Sequence, residues 1–112
     1  MSVTAKPLIN TKFAQSSAND EYTAPGSTRT IIDKMTVTNT DASSRTVSVY
    51  IVPSGNTPSD DFLIYSALSV AAGATVELEA MKNHILATGD KINVFASVAS
   101  KVVIRASGRE IT

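Results

Sequence analysis

At 112 residues and 43% hydrophobic content, the chain suits one domain with a modest core and leaves no room for two. Ten basic residues balance ten acidic ones, so no net field draws the protein onto nucleic acid or an anionic membrane, while low net charge eases contact between copies. The absence of cysteine excludes disulfides and thiolate metal sites.

The opening MSVTAKPLINTKF contains no apolar run that would serve as a signal core. No stretch of about 18 uninterrupted apolar residues follows. The expectation is a soluble protein made in the cytoplasm, with neither a membrane nor a nucleic acid as partner. Residues 1–27 read as an N-terminal arm, polar except near Leu8, Ile9 and Phe13, with a short strand over Pro7 to Phe13. SSANDEY is turn-like, because Ser, Asn and Asp side chains bond nearby backbone. YTAPGS is a short extended piece that closes on Pro-Gly.

Residues 28–112 read as the folded domain. Arg29 to Asn39 and Thr46 to Val52 alternate apolar and polar positions at a period of two, which defines strands with one buried face. TDASSR between them predicts a loop of about four to six residues. Pro53 ends the second strand, and the breaker-rich PSGNTPSDD is an exposed loop. FLIYSALSV, Phe62 to Val70, fits both a buried strand and a short helix and is assigned as strand. After the AAG turn, Val76 and Leu78 alternate with Glu77 and Glu79. MKNHILATGD turns at Gly89-Asp90, Ile92 to Ala96 alternates again, and Lys101 to about Ser107 is the last strand, with Ile111 in position to extend the pairing.

Seven or eight short antiparallel strands punctuated by turns predict an all-β protein, a β-sandwich of jelly-roll or immunoglobulin-like type. Met35, Val37, Val47, Val49, Ile51, Val76, Leu78, Ile92, Val94, Val102 and Ile104 are the predicted inward set.

The chemistry-bearing residues are sparse. A single histidine, His84, excludes a multi-histidine metal site and reads as a surface residue near a turn. Asp60 and Asp61 are adjacent, so in extended chain they point apart, and no EF-hand spacing follows. No serine sits in a G-x-S-x-G elbow, and the glycines are scattered rather than gathered into a phosphate-cradling loop. The expectation is a protein that is not an enzyme, with no catalytic residue, cofactor or metal.

The runs TIIDKMTVTNTDASSRTVSVYIVPSG, SVAAGATVEL, LATGDKINVFAS and VVIRASGREI resemble small structural proteins of tailed bacteriophages over Thr28 to Thr112. The resemblance lies in the order of turns and strands, and it carries no functional residue across. It implies a virion component made in the host cytoplasm, mounted in several copies as rings or trimers. A capsid decoration or cement protein that binds the major capsid protein is the foremost expectation. The alternatives are a tail, neck or baseplate accessory protein, and a carbohydrate- or receptor-binding sandwich using the 53–62 loop with Tyr22, Tyr50 or Tyr65.

Because terminal segments fray unless tied down, the arm is expected to order on a partner. It would do so through Lys6, Leu8, Ile9 and Phe13, either by filling a neighbour's groove or by adding a strand to an open sheet edge. Deleting it should then leave the sandwich folded.

Overall fold

A computed structural model describes all residues, Met1 to Thr112. The chain forms nine antiparallel strands: β1 (Val3–Phe13), β2 (Asn19–Thr23), β3 (Arg29–Asn39), β4 (Arg45–Val52), β5 (Leu63–Val70), β6 (Thr75–Glu77), β7 (Ile85–Leu86), β8 (Lys91–Ala96) and β9 (Val102–Ile111). One sheet runs β1-β9-β3-β6, with β7 also on β3, and the other runs β2-β8-β4-β5. If the two-residue β7 is set aside, consecutive strands alternate between the sheets, except for the β4–β5 hairpin within one sheet, in the order of a double Greek key. This is the jelly-roll form of the sandwich.

The core lies between the sheets because each strand turns its apolar residues inward. Met35 and Val37 from β3, Val47 and Val49 from β4, Ile92 and Val94 from β8, and Val102 and Ile104 from β9 are fully buried, as is Leu78. Ile51 and Val76 of the expected set are half-buried and pack against that cluster. Truncating Val49 or Ile104 to alanine should therefore cost about 1–4 kcal/mol in chemical denaturation. Thr38→Ala should cost far less, since its hydroxyl meets only that of Thr75 on the exposed side.

Several boundaries differ from the sequence expectation. β5 begins after a single 3-10 turn at Asp60–Phe62. It bulges at Ala67, whose φ is 48° and whose N–H donates to Ser48 Oγ at 3.0 Å. That irregularity is what gave the segment its mixed periodicity. β6 stops at Glu77, because Leu78 leads into a second 3-10 turn over Glu79–Met81 that buries Met81. MKNHILATGD is not all loop, since Ile85 and Leu86 pair with Ile31 and Thr30.

The larger correction concerns residues 1–27. They are not an arm outside the domain, because β1 pairs along most of β9 and β2 pairs with β8. SSANDEY is not simply a turn: Asn19 donates to Glu21, and Asp20 accepts from Asn93 across the strand pair at 2.7 Å. These side chains serve side-chain bonds and leave the backbone free for the ladder.

Candidate assembly surface

Of the four residues expected to contact a partner, the structure takes two into the chain's own core. The register of β1 on β9 shifts between Pro7 and Ile9, a bulge that turns both Leu8 and Ile9 inward where strict alternation would turn only one. Ile9 is 1% exposed and Leu8 6%. Leu8 lies against Gly108, where a missing side chain leaves room for it. Lys6 and Phe13 stay at the surface. Lys6 Nζ lies 3.5 Å from Glu110 Oε1, and Phe13, 47% exposed, stands beside Val103.

β1 is nevertheless an open edge, since β9 is its only ladder partner. Ser2 and Thr112 exchange both backbone hydrogen bonds, so in antiparallel pairing the bonding side alternates from there. Thr4 and Lys6 spend their backbone groups on β9, whereas Val3 and Ala5 turn theirs to the free side. Pro7 falls on the free side too, where its lack of an N–H costs the internal ladder nothing. The sequence pointed to Leu8 and Ile9 because they are bulky. It gave no sign of Val3 and Ala5, since backbone direction carries no side-chain signature.

Beside this edge the outer face of the same sheet carries exposed apolar side chains. Val3 is opposite Ile111, and Ile85 opposite Ile31; Val3 and Ile85 are 55% and 65% exposed. Between them Arg109 grips Asp33 through Nε and Nη2, at 3.0–3.2 Å.

Where the two sheets meet next to Lys6, the Tyr22 hydroxyl donates to Glu110 Oε2 at 2.6 Å and lies 2.7 Å from Thr30 Oγ1. Burial, and then the Glu110 hydrogen bond, push the Tyr22 phenol up to about 12. A phenol that is harder to ionise when folded than when unfolded contributes stability that is complete below about pH 10 and is lost as pH rises toward 12. Tyr22→Phe should flatten the fall in denaturation midpoint between pH 10 and 12, and an unchanged slope would contradict this assignment.

The other sequence candidates do not converge. Tyr65 Oη accepts from the Ala80 N–H, and Tyr50 stacks on Phe95 with centroids 6.1 Å apart. With Tyr22 bonded to Glu110, the tyrosines do not line the 53–62 loop as one sugar platform. His84 is exposed in the turn before β7, and Asp60 and Asp61 are exposed on their loop. No three His, Cys, Asp or Glu side chains gather as a metal cage. The one surface depression, about 550 Å³ and open, lies at the loop end beside both termini, with Arg29 its only charged side chain.

No protein-family profile matches the chain, and no curated protein matches it in sequence. Among solved structures, the chain is similar to a subunit described as belonging to the disulfide-linked pili of Bacillus endospore appendages. The identity is 12% and the TM-score 0.58, over 98% of this chain and 88% of that one. At that identity the likeness establishes the sandwich fold alone. One difference is chemical: with no cysteine, this chain cannot form disulfide-linked contacts.

Proposed function

We propose that the protein is a non-enzymatic structural subunit that works as a homo-oligomer within a larger assembly. The observation that carries this reading is β1, a long strand in a small all-β domain, bonded on one side only and carrying exposed Val3. A long open edge is costly for a free monomer and is normally covered. The setting drawn from the phage resemblance is a virion, with the protein as a decoration or cement protein on the major capsid protein; a tail, neck or baseplate place is the variant of it.

A second setting is favoured by the pilus subunit with the same fold. There the chain would be an appendage subunit whose contacts are non-covalent, since cysteine is absent. Electron microscopy of the purified protein, alone and mixed with phage heads, separates the two. Decoration predicts discrete oligomers that bind heads in hundreds of copies, whereas an appendage subunit predicts filaments without any template. A protein that stays monomeric and binds neither would overturn the reading.

A further inference from the structure

The free half of β1 is self-complementary, and we infer that it pairs with β1 of a second copy, antiparallel, about a two-fold axis through Thr4. This inference rests on the homo-oligomer reading and specifies its contact. In the regular part of β1 before its first bulge, Val3 and Ala5, with the Pro7 carbonyl, offer backbone groups to the free side. An axis at Thr4 sets Val3 of each copy against Ala5 of the other, so every one of their free N–H and C=O groups finds a partner. Beyond this stretch the edge is closed to pairing. Pro7 has no donor, and two register shifts, Pro7 to Ile9 and Ile9 to Lys12, turn the strand out of line.

Registers shifted toward Pro7 are worse for stated reasons. An axis at Ala5 would aim the Val3 carbonyl at Pro7, which has no N–H to give. An axis at Lys6 would bring two ammonium groups directly opposite each other and strand the Ala5 carbonyl in the same way. With the axis at Thr4, Lys6 faces Ser2 and keeps Glu110 as its ion partner. Thr4 meets Thr4, a favourable cross-strand pair. Val3 and Ala5 then bring their small apolar side chains together on the outer face, beside Ile111. The contact is isologous and closes at two copies, so a trimer or filament would need a second surface.

The cysteine-free chain makes the test clean. Opposed residues that are not directly hydrogen-bonded have Cα atoms about 4.5 Å apart, within disulfide reach. Thr4→Cys should therefore give a covalent dimer as its main product under mild oxidation. In Lys6→Cys the two thiols would lie roughly 13 Å apart along the strand, and the yield should be at least tenfold lower. Ala5→Pro removes a donor that β9 does not use; the protein should stay folded by circular dichroism, with its dimer dissociation constant raised at least tenfold in sedimentation equilibrium. Comparable crosslinking at Thr4 and Lys6, or self-association without any Thr4→Cys dimer, overturns this register and leaves the homo-oligomer reading standing. A wild-type chain that sediments as a monomer at all concentrations overturns both.

Discussion

Removing Met1 to Phe13 is expected to unfold the domain, contrary to the reading of these residues as a detachable arm. β1 supplies Leu8 and Ile9 to the central cluster and covers the edge of β9 along its length. Truncating a buried Leu or Ile side chain to alanine costs about 2–5 kcal/mol, and a domain's entire stability is about 5–15 kcal/mol. Losing both side chains along with a whole strand ladder consumes most or all of that margin. The truncated protein should show no cooperative urea transition, and the uncovered β9 should make it aggregate. The single variant Ile9→Ala tests the same point more gently, with an expected loss of about 2–5 kcal/mol, while Phe13→Ala, half-exposed, should lose less than about 1 kcal/mol. A cooperative transition in the truncated protein with a midpoint near that of the full chain would mean that β1 is dispensable.

This reversal shows where the sequence was legible. A period of two identified the inward faces of β3, β4, β8 and β9 because these strands run with few interruptions through the sheet centres, where most inward residues are apolar. The same rule failed on β1, where a bulge places Leu8 and Ile9 side by side on one face and hides the alternation. It failed on β2 because Asn19, Asp20 and Glu21 look like turn and surface residues. Asp20 in fact bonds Asn93, and the Glu21 carboxylate, 1% exposed, lies 2.7 Å from Lys12 Nζ. Such pairings join residues far apart in sequence, and no local pattern encodes them. The candidate surface was half legible: Lys6 and Phe13 are at the edge as expected, but the groups that make the edge adhesive are backbone amides and carbonyls.

The second large effect is expected at Gly108, which β9 presents to the sheet interior where strands β1 and β3 flank it. A Cβ there would stand 2.2 Å from the Ile31 carbonyl oxygen and 2.7 Å from Leu8 Cδ1. The Leu8 methyl can rotate away at modest cost. The Ile31 carbonyl belongs to the backbone of β3, so it can retreat only if the β3–β9 pairing shifts, and that pairing already slips by a residue between Ile32 and Lys34. Overpacking of this kind costs about 1–3 kcal/mol, occasionally more, and with backbone as the obstacle Gly108→Ala belongs at the upper end. Gly26, with nothing within 4 Å of its added Cβ, should accept alanine with a change of less than about 0.5 kcal/mol. Combining Gly108→Ala with Leu8→Ala separates the two obstacles, because the double variant removes the methyl clash and keeps the carbonyl clash. Its loss in urea denaturation should fall short of the sum of the single losses yet exceed that of Leu8→Ala alone. Full rescue by the Leu8 truncation would place the strain in the side chain, and a Gly108→Ala protein as stable as Gly26→Ala would mean that β1 and β3 do not approach β9 as closely as described.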